Sequence, residues 1–399
     1  MLIEMSAEII LPARKKFSWF VDKCDKPWEI FLPAVQNYNE KRRQLLTAAL
    51  LLLDESMSGW CPKTSKLGGL PNYTYEPRKP VPLGTMFRNG VEAVTGIIMH
   101  QDIVQLPELQ ARKKYHGEPS HMPDNSGIPA HTAEVLHQVE GAGITEGGWV
   151  GGNAWFGSVT SAVEVKRRLK VDSMWIIKNN STFFPKQALL SVMSARHGMH
   201  PAGTWVVFTS TIADVKLIMM AYAWSQKGVS FFLSTCGSTT KSDKTYRSHF
   251  ENEYGQVDFK ELPRPKLAEF IYEVSHLTLS KNEGVICFDS YLSHPILSYT
   301  SDCPIDCCVQ YLPLIDEHNR QRQDRLALEK CWPTKSCWFR LICMLVGMLL
   351  VDLHHLYQNK DTSYLEWDIL KFADHVSVWL KPRSDRPSDG VVESVNKLK

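Results

Sequence analysis

Four polar positions stand out in this chain because their residue types could hold a divalent metal or move protons, and because each interrupts apolar sequence. Asp54-Glu55 follows a run of leucines and precedes a loop rich in Pro, Gly and Lys. Glu92 lies in an apolar stretch, Asn153 falls where an apolar segment ends in Gly151-Gly152, and Asp316 opens a run of ten polar residues that ends at Arg325. Asp316 and Asn319 are three apart, so a helix would place them on one face. Each position also has a plain structural role. Asp54 suits a turn or cap, Glu92 a solvent-facing strand position, and Asn153 a turn. A helix polar on every side is usually a solvated one. The P-loop, the dinucleotide fingerprint, the nucleophile elbow and the HExxH helix are all absent, which removes the chemistries they carry.

The elements that must position these residues follow from pattern. Residues 1 to 53 read as mainly helical, with the apolar run Leu45 to Leu53 behind the basic cluster Lys41-Arg42-Arg43. Leu83 to Ile103 reads as two strands and a turn. Trp149-Val150 predicts a strand ending at Asn153, and Ser158 to Leu169 an amphipathic helix with Lys166, Arg167 and Arg168 on its polar side. Sites in open α/β sheets collect at such strand ends. Met174 to Ile177, Trp205 to Phe208, Val215 to Tyr222 and Val229 to Leu233 are strand-like, and Ser238 to Arg247 is turn-prone. Pro263-Arg264-Pro265 breaks the chain before a predicted helix over Leu267 to Val274. Helices are predicted over Leu341 to Tyr357 and Tyr364 to Leu380, with a disordered tail from Lys381.

Composition bounds the function classes. The chain has 399 residues, 44% hydrophobic and 22% charged, the balance of a globular protein. A net charge of +2 makes any nucleic-acid contact a matter of local basic surface rather than bulk charge. The first seventeen residues carry Glu4 and Glu8 and do not form a signal peptide. The apolar stretch Leu341 to Val351 is far shorter than a membrane span, so an intracellular protein without a membrane is expected. The ten cysteines, among them Cys303, Cys307, Cys308, Cys331 and Cys337, form no paired knuckles, and free thiols are expected in place of a zinc site.

Taken in order, six segments resemble piggyBac transposases. Leu53-Asp54-Glu55-Ser56-Met57 is similar to the family's D-E-x-M segment, and Lys79 to Phe87 to its N-K-P-x-x-x-G segment. Asn153-Ala154-Trp155-Phe156-Gly157-Ser158 resembles D-N-x-F-T-S, and Phe184-Pro185-Lys186 resembles G-x-x-F-P-K. Asp316 to Gln323 is similar to V-D-x-x-[DN]-x-x-R-Q, and Leu328 to Leu341 to the tryptophan-rich helix that follows it. The resemblance implies an α/β fold: an RNase H-like (DDE transposase) core interrupted by a β-rich insertion, with a helical C-terminal part. It divides the chain into a helical remnant (1–52), the first part of the core (53–200), the insertion region (201–313), C-terminal core helices (314–380) and the tail (381–399). Residues 276–313 look extra to the family, as a foreign insertion or a retained intron.

The family cuts and pastes DNA at TTAA targets through hairpin intermediates, using three acids and two Mg²⁺ ions. Carried over, the first acid falls on Glu92, with Asp102 as a nearby alternative. The second falls on Asn153, the third on Asp316 and an auxiliary fourth on Asn319, leaving Glu92 and Asp316 as the charged metal ligands. Asn keeps an acceptor oxygen but no charge. A missing unit charge 4 Å from a cation is worth on the order of 4 kcal/mol at an effective dielectric near 20. The resemblance therefore implies a transposase-derived protein with weak or absent Mg²⁺ and no cutting. The family's N-terminal DNA-binding region is expected only as a remnant, and its C-terminal zinc module is expected to be missing, since residues 381–399 hold no Cys or His. Nuclear location, homodimerisation and DNA as partner are implied, with phosphate contacts expected from Lys166, Arg167, Arg168, Arg320, Arg322 and Arg325. Two alternatives stay open: an active Mg²⁺-dependent transposase, and a decayed element with no cellular role.

Overall fold

The run expected to be helical instead enters the centre of a sheet. Strand β1 (Leu50–Gly59) carries Leu51, Leu52 and Leu53, all fully buried. A strand covered on both faces has no polar alternation, so its periodicity does not separate it from a buried helix. The preceding helix, α1 (Trp28–Leu45), ends before the sheet begins. The computed structural model describes residues 28–379 apart from 61–73, 78, 80–81, 105–111, 125, 179–180, 198–201, 226–227, 238–239, 252–256, 267–269, 272–299, 302–312, 333–335 and 361. The tail from Lys381, the cysteines at 303, 307 and 308, and most of 276–313 lie outside the described residues.

Strands β2 (Thr74–Tyr75), β3 (Leu83–Glu92) and β4 (Ile98–Ile103) follow β1. β3 pairs antiparallel with β1, and β2 and β4 both pair with β3. On the other side of β1 lies β5 (Trp149–Gly152), parallel to it, and then β6 (Asp172–Ile177), parallel to β5. Helix α2 (Ala130–Ala142) and helix α3 (Val159–Glu164), which runs on into a wider turn over Val165–Leu169, cover one face. Val135, Leu136, Val139, Ala162 and Val163 pack there against Leu51, Leu53 and Val150. Crossover helices are what parallel strand pairs require. Helix α4 (Lys186–His197) adds Leu189 and Met193 to the same core.

Beyond β6 the sheet continues antiparallel through β9 (Val229–Ser234), β8 (Val215–Ala223) and β7 (Trp205–Ile212). A hairpin of β10 (Thr240–Glu251) and β11 (Val257–Lys266) follows, and β12 (Phe270–Ile271) pairs with β13 (Thr300–Ser301). Two expectations are corrected here. The turn-prone segment Ser238 to Arg247 mostly becomes β10, and the prolines at 263 and 265 lie within β11. Within the predicted helix 267–274, the described residues Phe270 and Ile271 are strand, and the rest lie outside the described residues.

The opposite face is covered by α5 (Pro313–Arg320), a wide turn over Gln321–Leu326, α6 (Leu328–Cys331), α7 (Cys337–Lys360) and α8 (Ile369–Trp379). At 24 residues, α7 is longer than the sequence suggests and is long and apolar enough to cross a membrane. It is instead enclosed by protein. Trp338, Leu341, Met344 and Met348 pack on Phe87, Val91 and Ile98, while Phe339, Cys343 and Val351 pack on Phe372 and Ala373 of α8.

The turn after β5 shows why its motif has these residues. Asn153 Oδ1 accepts from the backbone N–H of Trp155 at 2.8 Å, closing an Asx turn. Ser158 then caps α3, its Oγ accepting from Ser161 N at 2.9 Å. Gly157 passes so close to β6 that an added Cβ would lie 2.2 Å from the Ile176 carbonyl oxygen. Backbone cannot yield as a side chain can, so Gly157→Ala is expected to cost about 1–3 kcal/mol by overpacking. Urea unfolding with an unchanged m-value checks this, and a loss below about 0.5 kcal/mol would contradict the close approach.

Candidate functional site

Parallel pairing of β1 and β5 sets Leu53 opposite Gly152, so the next residues, Asp54 and Asn153, come side by side. Asn153 Nδ2 donates to Asp54 Oδ1 at 2.7 Å and reaches Glu55 Oε2 at 3.4 Å. Asp54 Oδ1 also accepts from the Glu55 backbone N–H at 2.8 Å, and Lys79 Nζ donates to the Glu55 carbonyl at 3.3 Å. Burial pushes the Asp54 carboxyl up to about 8, with the Glu55 carboxylate beside it acting in the same direction. Near neutral pH Asp54 therefore holds its proton for much of the time.

Strand alternation shows which layer Asp54 faces. Leu52 shares an apolar cluster with Leu314 of α5, and Ser58 Oγ donates to Glu329 Oε2 of α6 at 3.0 Å. Asp54, at the same parity, faces that helical layer between these two points. Asp316 lies two residues beyond Leu314 and is exposed, while Ile315 is buried against Phe87 and Val91. Among the described residues, no hydrogen bond or ion pair joins Asp316 to Asp54 or Asn153. Asn319 is half-buried on the same helix. Between them His318 is buried and its Nε2 meets Asp352 Oδ1 of α7 at 3.2 Å.

Glu92 does not join this group, which corrects its expected place. It pairs with Leu51, so it lies three residues from Asp54 along β1, about 10 Å away. Its Oε2 accepts from Val94 N at 3.0 Å, Thr95 N at 2.7 Å and Thr95 Oγ1 at 2.9 Å, tying the turn between β3 and β4. Burial raises the Glu92 carboxyl above its ordinary value, against the pull of these donors. Asp102 is also elsewhere, on β4, ion-paired with Lys113 and 3.6 Å from His137 Nε2. The acid that does meet Asn153 is Asp54, read from the sequence as a turn or cap residue. Its signal was a carboxylate that interrupts the apolar run Leu50 to Leu53 inside a strand that continues to Gly59.

The donor set around Asn153 does not suit Mg²⁺. Trp155 N–H can only donate, so it fixes Asn153 Oδ1 toward itself and turns the amide N–H groups onto Asp54 and Glu55. A cation at the carboxylates would meet N–H donors, not a third oxygen.

The basic residues are largely committed to acids of the same chain. Lys166 pairs with Asp172 at 2.9 Å, and Arg168 with Glu164 and Glu118 at 2.7 Å each. Arg167 lies 3.6 Å from Asp214. Arg320 grips Glu317 with two nitrogens at 2.6 and 2.7 Å. Arg322 is corrected as a phosphate contact: it is buried, ion-paired with Glu329, and donates to the Met57 carbonyl at 3.2 Å. Arg325 is exposed, and among the described residues it makes no ion pair.

No family model matches the chain, and no curated protein matches it. Its fold is similar to that of a piggyBac transposase, solved by cryo-EM as a synaptic complex with hairpin DNA. The TM-score is 0.55 at 14% identity, covering 93% of this chain and 62% of that one. The chain thus has a piggyBac-like fold of mixed α/β build, and it spans 62% of the length of the transposase it matches.

Proposed function

We propose that the chain is a transposase-derived protein with an RNase H-like core that does not cut DNA. The observation that carries this is the Asn153 amide, 2.7 Å from Asp54, where β5 ends beside the middle of its parallel neighbour β1. Three strands in antiparallel order (β4, β3, β1) followed by two in parallel (β5, β6) support the RNase H-like reading. In such a core Asp54 stands in the first acid position, Asn153 in the second, and Asp316 supplies the third from the covering helix. Two carboxylates and an amide turned the wrong way leave a two-metal clamp incomplete. DNA, the partner of the similar transposase, is the ligand class proposed here, held by Arg167, Arg320 and Arg325.

Incubation of supercoiled plasmid with the protein and Mg²⁺ or Mn²⁺ is expected to give no nicking. Cleavage that disappears in Asp54→Ala or Asp316→Ala would sink this reading. With three arginines as the proposed contacts, DNA affinity should fall only gently with salt, with a log–log slope of about −2 to −3. A second reading, an active Mg²⁺-dependent transposase, draws on one observation. Glu55 brings another carboxylate to within 3.4 Å of the same amide, so Asp54, Glu55 and Asp316 make an alternative acid trio. The cleavage assay separates the two.

A further inference from the structure

We infer that the Asn153 carboxamide, just past the end of β5, takes the place of a cation beside Asp54 and Glu55 in the middle of β1, so that the fold of this chain is independent of divalent metal. Two carboxyl groups side by side on one strand, as Asp54 and Glu55 are on β1, repel each other when both ionise and favour a positive or hydrogen-donating partner. Here the partner is internal. One side chain donates to both Asp54 and Glu55, at 2.7 and 3.4 Å, and its orientation is fixed by the 2.8 Å bond from Trp155 N–H. That bond cannot be made by the amide nitrogen, so the arrangement has a single sense. Trp155 is itself held, its ring 4.1 Å beneath the Arg88 guanidinium, and Arg88 pairs with Glu134 at 2.9 Å. The turn that aims the amide is therefore anchored to β3 and α2, not left to solvent.

The role differs from simple loss of a ligand. A decayed metal site would leave two carboxylates facing each other. In this chain the residue at the second position satisfies them and joins two strands that share no loop. This inference rests on the Asp54–Asn153 geometry of the proposed non-cutting site. It fails separately from that reading, which fails by cleavage of DNA, whereas the amide link fails by a response of the fold to cation.

Thermal unfolding of the whole chain in EDTA and in millimolar Mn²⁺ tests it. Wild-type Tm is expected to be the same in both media. Asn153→Asp, which sets a third carboxylate against two, is expected to lose on the order of 5 °C in EDTA and to regain most of it in Mn²⁺. Asn153→Ala removes the donors without adding charge, and should lose a similar amount in both media with no recovery. A wild-type Tm that rises with Mn²⁺, or an Asn153→Asp protein as stable as wild type in EDTA, overturns the inference. Should Asn153→Asp not fold in either medium, calorimetric titration of the wild type with Mn²⁺ decides. No heat of binding supports the link, and heat that vanishes in Asp54→Asn overturns it.

Discussion

Asp352→Ala is expected to remove about 3–5 kcal/mol of stability, the range seen when one partner of a buried ion pair is taken away. Asp352 sits on α7 with its side chain 7% exposed, and Arg42 of α1, its ion-pair partner, is 6% exposed. The other carboxylate oxygen accepts from Ile98 N at 3.0 Å and meets His318 Nε2 at 3.2 Å. One side chain thus ties α1, β4, α5 and α7 together. Burial opposes its ionisation, but Arg42 and His318 outweigh that and hold the carboxyl below the ordinary carboxylate range. Truncation leaves a buried guanidinium without its counter-charge and a buried N–H without its acceptor, and both costs are paid in full. A loss of this size is a large share of the 5–15 kcal/mol typical of a domain. It should also loosen α5, which carries Asp316 and Asn319. Asp324→Ala is the comparison, because Asp324 is two-thirds exposed and only 3.4 Å-paired with Lys330. That change should stay within about 0.5 kcal/mol. Equal urea midpoints for the two variants would show that the buried cluster contributes nothing.

Part of this architecture is legible in the residues. The segment Gly151 to Ser158 reads as a strand that ends, turns and starts a helix, and it does so because each type has a local reason: the Asx turn at 153, the close approach at 157, the cap at 158. The candidate site is legible only by half. Asn153 is placed by its own turn, but its partner is set by parallel pairing with a strand about a hundred residues earlier, which no local pattern encodes. Counting forward from Gly84 lands on Glu92, a carboxylate with strand surroundings much like those of Asp54. Which end of a strand faces the site depends on the sheet, not on spacing. The basic run 320–325 looks uniform in sequence, yet the wide turn after α5 buries Arg322 and exposes Arg325. Charge runs report composition, and the ion pairs that neutralise them, such as Arg168 with Glu118, come from distant segments.

Stability is expected to peak near pH 6.5 and to fall on both sides, for reasons that can be assigned to single residues. Burial lowers His100 to about 3, with His137 nearby adding to the effect, and lowers His355 to about 4. Both are neutral in the folded protein, and His355 donates its Nδ1–H to the Gly96 carbonyl at 3.0 Å. Below about 6.5 the unfolded chain takes up protons that these folded rings refuse, so stability is lost as pH falls. Each ring contributes about 1.4 kcal/mol per pH unit until its folded pKa is reached. Asp54 has the opposite sign. Its carboxyl is raised to about 8, so between the ordinary carboxylate range and 8 the folded state holds a proton that the unfolded state releases. Its contribution is present at low pH and lost as pH rises, again by about 1.4 kcal/mol per unit. From about 6.5 down to 4 these two histidines, joined by His131, His354 and His375, which burial also lowers, act against Asp54 and Glu92, and stability falls. Above 6.5 Asp54 and Glu92, both raised by burial, act in the same sense, and stability declines toward 8. Below about 4 the lowered carboxyls of Asp352, Glu134 and Glu164 add to the acid loss. The decisive variant is His100→Met. Among the described residues neither ring nitrogen of His100 has a hydrogen-bond partner, so a flexible apolar side chain loses no hydrogen bond there. With His100 removed, the acid slope between about pH 4 and 6.5 should be shallower than the wild type's by about 1.4 kcal/mol per unit. An acid slope as steep as the wild type's would mean that His100 is not held neutral by its burial against Gly141.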